Sequence, residues 1–186
     1  MKIVCLLGSP RVSGNTDTIV AEILRGINRP DAEVVSHHLH QAVIGYCRGC
    51  KSCSVTGNCV IKDDVHTIVE DLLSAQLVIA ASPSYWGDVT AQMKTFIDRC
   101  TPYGNTNDRR LTGPTGAKGV AVAVRAGPNQ KENLNLVHTI GHFFGHLDIP
   151  LLSHFTAEGI DTAEDLWKNP SVLAAAFRFG ESLSRL

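Results

Sequence analysis

Four of the chain's six cysteines fall within thirteen residues, as Cys47, Cys50, Cys53 and Cys59, a C-x2-C-x2-C-x5-C array. Two-residue gaps in a tight loop let successive thiolates converge on one point. A fourth thiolate soon afterwards closes a tetrahedral shell or the last corner of a cubane. Three states of such a loop stay open: a 4Fe-4S cluster, a structural zinc, or no metal and a redox-active thiol loop. Zinc ribbons usually separate two C-x2-C knuckles by roughly a dozen residues or more, so the short closure here favours the cubane. Cys5 lies within a strand and Cys100 ends a helix, and both read as core filler.

Two loops carry a different chemistry. Gly8-Ser9-Pro10-Arg11-Val12-Ser13-Gly14-Asn15-Thr16 runs straight from a strand into a helix. Its hydroxyls and free N–H groups at a helix start suit a phosphate, and Arg11 adds a charge-assisted bond. It matches neither a Walker loop nor a G-x-G-x-x-G turn, and its plain alternative is a tight turn with a Ser or Asn cap. The second loop, Ser82 to Asp88, sets Tyr85 and Trp86 side by side at a strand end, with Gly87 allowing close backbone approach. The plain alternative there is that both rings cover the sheet edge. A phosphate nest beside an aromatic wall fits flavin mononucleotide (FMN).

His138, His142 and His146 recur every four residues and so share one helical face, a spacing that could hold a divalent metal. No carboxylate or cysteine of that helix completes a site, which leaves a polar face near a subunit contact. Asp63 and Asp64 read as a helix start and not as a catalytic pair.

These residues must be positioned by the elements around them, and strand-like and helix-like patterns alternate along the chain. Strands are expected over 2–7, 33–39, 77–81, 117–124 and 149–155. Helices are expected over 16–28, from 63–64 onward, over 89–99, 131–147 and 171–186. Apolar strands with intervening helices predict an α/β fold with a doubly wound parallel sheet and helices on both faces. Ligands of such sheets sit beyond the carboxyl ends of the strands, where the strand order reverses. The Gly- and Pro-rich stretch 102–116 is the candidate mobile or interface loop.

At 186 residues and 44% hydrophobic, the chain is long enough for one domain, 1–186, that needs no disulfides, with the cysteine loop at about 43–62. A net charge of -1 gives no footprint for nucleic acid or anionic lipid. The apolar run from Ile3 to Leu7 is too short for a secretory signal, and no segment approaches the roughly 18 apolar residues of a membrane span. The expected setting is the cytoplasm, where thiols stay reduced and clustered cysteines tend to bind metal.

Three segments together resemble the NADPH-dependent FMN reductase family, and more narrowly its iron-sulfur flavoproteins. They are Gly8 to Thr16, the array Cys47 to Cys59 running into Val60-Ile61-Lys62-Asp63-Asp64, and Ser82 to Gly87 with Ala91-Gln92-Met93-Lys94-Thr95-Phe96-Ile97-Asp98-Arg99. The match runs from Met1 to about Arg99 and continues more weakly through Ser153-His154-Phe155. The loop Arg125 to Gln130 departs from the glycine-rich loop common among relatives, and Leu111 to Lys118 looks longer than usual.

The resemblance implies a flavodoxin-like, five-stranded sheet of order 2-1-3-4-5. It implies that Ser9, Arg11, Ser13, Asn15 and Thr16 hold the FMN phosphate, that Pro83, Ser84, Tyr85, Trp86 and Gly87 line the isoalloxazine ring, and that the four cysteines hold a 4Fe-4S cluster. The implied activity is that of a flavin-dependent oxidoreductase with a reduced nicotinamide or ferredoxin-like electron donor and a small acceptor such as free flavin, quinone or dioxygen. The implied assembly is a homo-oligomer, dimer or tetramer. The cofactors carry the chemistry, so no side chain is singled out as catalytic. Two rivals remain. A non-enzymatic flavodoxin-like electron carrier would need a charged docking face, which a net charge of -1 does little to supply. The other is a zinc-stabilised interaction module with a vacant flavin site.

Overall fold

A computed structural model of the chain describes residues 1–110, 112 and 116–184. Strand β1 (Lys2–Leu7) is an apolar run after its first residue, and α1 (Asn15–Ile27) leads to β2 (Glu33–His38). The short α2 (Ser52–Thr56) and α3 (Val65–Ser74) precede β3 (Leu77–Pro83). Helix α4 (Ala91–Arg99) and a 3-10 turn (Thr101–Tyr103) lead to β4 (Lys118–Val124). Then come α5 (Gln130–His146), β5 (Leu151–Ala157), α6 (Ala163–Lys168) and α7 (Pro170–Leu183). The five strands pair in the order β2-β1-β3-β4-β5. Every pair is parallel.

Alternation along the strands divides the core into two layers. Val4, Leu6, Val78 and Ala80 face Val69, Leu72, Phe96 and Phe144 of α3, α4 and α5. Ile3, Cys5, Leu7 and Ile79 face Ile19 and Ile23 of α1 and Ala176 of α7. Both expected filler cysteines are buried, Cys5 and Cys100. Burial pushes the Cys5 thiol up to about 12, against a weaker opposing hydrogen bond from Ser36, and drives Cys100 up as well.

Helices α1 and α7 touch backbone to backbone. A methyl group on Gly26 would lie 2.0 Å from the Phe177 carbonyl oxygen, and one on Gly180 would lie 2.0 Å from that of Ile23. Gly180→Ala is therefore expected to part the helices and lower stability by about 1–3 kcal/mol. Urea unfolding reads this as a lower midpoint, and an unchanged midpoint would show that the helix pair separates freely.

Several boundaries depart from the sequence pattern for local reasons. The last strand begins at Leu151 and not 149, because Asp148 turns with φ 56° and pairing starts where Gly119 N–H donates to the Pro150 carbonyl. β3 runs on through Pro83, and the next helix begins at Ala91 because Thr90 caps it, accepting from Met93 N–H. The short helices α2 and α6 carry too few residues for a periodic signal, although a Thr162/Asp165 capping box marks the second. Leu111 and residues 113–115 of the long loop, and 185–186 of the expected terminal helix, lie outside the described residues.

Candidate functional site

The chain crosses from one side of β1 to the other between β2 and β3, so the sheet's switch point opens beyond the ends of β1 and β3. Both ligand-type loops arrive there. Gly8 N–H donates to the Ala81 carbonyl at 2.8 Å, and the buried Thr90 hydroxyl donates to the Gly8 carbonyl at 2.6 Å. Thr90 thereby ties the start of the first loop to the end of the second.

In the first loop Ser9, Asn15 and Thr16 are buried, whereas Arg11 and Ser13 are exposed. The Ser9 hydroxyl folds the turn, accepting from Arg11 N–H and donating to the Arg11 carbonyl, both at 3.1 Å. Gly14 caps α1 without a side chain, leaving the first-turn amides without a side-chain acceptor. A methyl at Gly14 would meet the Arg11 carbonyl at 3.0 Å, so glycine keeps this cradle open. The Ser13 amide is already committed, donating to Asp17 Oδ2 at 2.8 Å, so only its hydroxyl is free to serve a ligand. Among the described residues the Arg11 guanidinium is tethered only by a 3.4 Å bond to the Asp161 carbonyl. An uncapped helix start with an available guanidinium fits a phosphate.

In the second loop Tyr85 and Asp88 exchange backbone hydrogen bonds at 2.9 and 3.2 Å around Trp86 and Gly87, which have φ 56° and 80°. A left-handed tryptophan costs about 1–2 kcal/mol, and it leaves the Trp86 side chain fully exposed (105%) beyond the sheet edge. Ser84 N–H is held by the Val124 carbonyl at 2.7 Å, which fixes the turn on the β4 side. Tyr85 and Trp86 thus stand side by side at the strand end, on a turn anchored at its base and with Trp86 free at its tip.

The cysteine loop is pinned where it begins and ends: Val43 N–H donates to Asp64 Oδ2 at 2.7 Å, and Asp64 N–H to the Val43 carbonyl at 3.2 Å. All four cysteines line one cavity of about 230 Å³, with Arg99 and Pro102 in its wall. Cys47 and Cys50 are exposed and Cys53 and Cys59 half-buried. Among the described residues no three His, Cys, Asp or Glu side chains gather closely enough to hold an ion, so the thiols share a cavity without being drawn to one point. The Cys50 thiol is held below its ordinary value by the Ser52 backbone N–H and hydroxyl, against slight desolvation and with help from Arg48. Four thiols lining one chamber are the kind of donor set that a thiolate-ligated metal centre takes.

The feature that sequence reasoning missed is the floor of this cavity. Arg99 is 2% exposed, and its guanidinium pairs with Asp63 at 2.5 Å. It also donates to the Gly45 and Ile61 carbonyls at 2.7 and 3.3 Å and to Cys59 Sγ at 3.5 Å. Burial works to raise the Asp63 carboxyl, but Arg99 and the N–H groups of Gly45 and Val65 outweigh it and hold the group below the usual carboxylate range. Asp63 therefore belongs to a buried ion pair first and to the start of α3 second. The available signal was Arg99 following Met93 and Phe96 at three-residue spacing, which sets a cation on a buried helical face.

The order of strands, the phosphate-type helix start and the aromatic turn at the switch point define a flavodoxin-like α/β protein. The family model for NADPH-dependent FMN reductase matches residues 1–158. The chain belongs to that family and is a flavin-dependent oxidoreductase. It is 38% identical over 134 residues to an iron-sulfur flavoprotein of Archaeoglobus fulgidus, an alignment covering 72% of this chain and 59% of that protein. It is 30% identical to an iron-sulfur flavoprotein of Methanocaldococcus jannaschii, covering 100% of this chain and 97% of the other. Among solved structures, an NAD(P)H:quinone oxidoreductase from Methanothermobacter marburgensis superposes with a TM-score of 0.73 at 16% identity, covering 98% and 96% of the two chains, and supports the fold. Among the described residues no helix is long and apolar enough to cross a membrane.

Proposed function

We propose that residues 1–186 act as one FMN-binding domain that takes electrons from a reduced nicotinamide or ferredoxin-like donor and delivers them to a small acceptor, with a 4Fe-4S cluster held by Cys47, Cys50, Cys53 and Cys59. The observation that carries this reading is that all four thiols line one cavity, with Arg99 in its wall. The bound FMN would supply hydride and single-electron chemistry, and the cluster single-electron transfer. The protein's part is to bind and orient. Arg11 and the open amides at the start of α1 would hold the phosphate, with Ser9 shaping the turn and Ser13, Asn15 and Thr16 beside it. Pro83, Ser84, Tyr85, Trp86 and Gly87 would flank the ring, and Arg99 would donate to the Cys59 sulfur.

Exposed Trp86, Tyr46, Val55 and Val43 lie in the aromatic turn and in and beside the cysteine loop, and such apolar groups support a homo-oligomer that covers this edge. Anaerobic purification followed by iron, sulfide and zinc analysis tests the metal. Iron and sulfide in equal amounts, with flavin absorption and a broad shoulder that bleaches on reduction, is the expected result. Zinc without iron would replace the cluster by a structural site. The lowered thiol of exposed Cys50 favours a redox-active loop as the second reading, and absence of both metals would select it. Turnover with a reduced nicotinamide separates an enzyme from an electron carrier.

Arg11→Ala is expected to weaken FMN binding without disturbing the fold, since the side chain is exposed and, among the described residues, makes only one weak hydrogen bond. Loss of a charged hydrogen bond costs about 1.5–3 kcal/mol, or roughly ten- to a hundred-fold in affinity. Fluorescence titration of the apoprotein with FMN measures it, and an unchanged Kd would move the phosphate elsewhere.

A further inference from the structure

We propose that His142 and His146 form a two-histidine site for a borderline divalent cation of the zinc, cobalt or nickel kind, in the groove between α4 and α5. The proposal stands apart from the flavin and the cysteine loop. Four-residue spacing on α5 brings the two Nε2 atoms to 3.2 Å, a hydrogen bond in which His142 Nε2–H faces the His146 lone pair and whose proton an ion would displace, with the rings 4.6 Å apart and nearly perpendicular. Two imidazole nitrogens at bond lengths of about 2.0–2.1 Å from a tetrahedral ion sit about 3.3 Å apart, so the pair is spaced as a chelate.

What distinguishes this pair from two chance surface histidines is how His146 is held. The Asn105 amide nitrogen donates both its hydrogens, to the Gly145 carbonyl and to Asp148 Oδ1, each at 3.0 Å. Its oxygen therefore faces His146 Nδ1, at 3.2 Å, as an acceptor. That assignment puts the His146 proton on Nδ1 and leaves Nε2 with the lone pair a metal needs. Asp148 is itself fixed by Arg110 at 2.5 Å. The chain Arg110–Asp148–Asn105–His146 is the kind of outer hydrogen-bonded support that orients metal-ligating histidines.

The remaining coordination positions open on a groove of about 460 Å³ lined by Lys94, Asp98, Thr101 and Thr139, where water can complete the shell. Among the described residues no third histidine, cysteine or carboxylate reaches the ion, so the site binds through two protein ligands. His138 stacks on His142 at 6.4 Å between ring centroids and serves as an internal control.

The test is calorimetric titration of untagged, anaerobic holoprotein with Ni²⁺, repeated on single variants whose melting temperatures show that they are folded. One equivalent is expected to bind in wild type. His142→Gln and His146→Gln should each weaken binding about tenfold or more, His138→Gln should leave it unchanged, and Asn105→Ala should weaken it by roughly ten- to a hundred-fold. No binding to wild type would overturn the proposal. So would equal losses in all three histidine variants, which describe a diffuse histidine-rich surface, or an Asn105→Ala protein that binds as well as wild type.

Discussion

Asp63→Asn is expected to lower stability by about 3–5 kcal/mol, because it strips the counter-charge from an arginine that is 2% exposed. The loss should exceed that of any surface ion pair in the chain, such as Lys168–Glu164, where both partners stay in water. Arg99 also fastens Gly45 and Ile61, at the two ends of the cysteine loop, so the same substitution should loosen that loop. The Asp63 carboxyl is held below its ordinary value of 3.8, so the pair's contribution is present above that pH and fades as the pH falls through the depressed folded value. The gap between wild type and Asp63→Asn should accordingly close in acid, while Arg99, raised by the same partner, stays charged throughout. Urea unfolding across pH, with Arg99→Met and the double variant Asp63→Asn/Arg99→Met, measures it. The double variant should be more stable than Asp63→Asn alone, because it removes the stranded charge. A double variant that loses the sum of both single effects would show that the pair itself contributes nothing.

The layered sheet was legible because its signals are repetitive. Runs such as Leu77 to Ala81 repeat an apolar choice at every position, and α1 repeats one at helical spacing through Ile19, Val20 and Ile23. The two loops at the switch point of the sheet were legible for another reason: glycine, serine and adjacent aromatics at a strand end satisfy backbone demands that few other residues meet. What stayed hidden depends on contacts between residues far apart in the chain. Nothing near Asp63 announces Arg99, 36 positions away, and nothing near His146 announces Asn105, 41 positions away. The Ser13 amide shows the same limit at short range. Its sequence neighbourhood offers a free donor, but Asp17, in the first turn of α1, folds back and takes it. The shift of β5 to Leu151 likewise follows from a turn at Asp148, where the left-handed backbone that aspartate tolerates interrupts an otherwise apolar run.

On the cluster proposed above, Cys53→Ser is expected to abolish iron and sulfide binding while leaving FMN bound. The substitution exchanges a soft thiolate for a hydroxyl that stays protonated near neutral pH, so one of four ligands is lost with almost no change in side-chain volume. Cys53 lies in α2, where Asn107 Nδ2 donates to its carbonyl at 3.3 Å, and a backbone contact of that kind survives the change. None of the groups assigned to FMN touches this helix: the phosphate loop lies after β1 and the aromatic turn after β3. Both loops and the cysteine loop nevertheless leave the same carboxyl edge of the sheet. The variant should therefore keep its flavin spectrum and its reduction by a nicotinamide. Its exchange of electrons with a ferredoxin-like protein partner should slow. Stopped-flow reduction and reoxidation of wild type and Cys53→Ser at matched flavin occupancy decide the matter. Wild-type rates with every donor, in a variant shown to lack iron, would make the cysteine loop a structural element and leave the chain a plain FMN reductase.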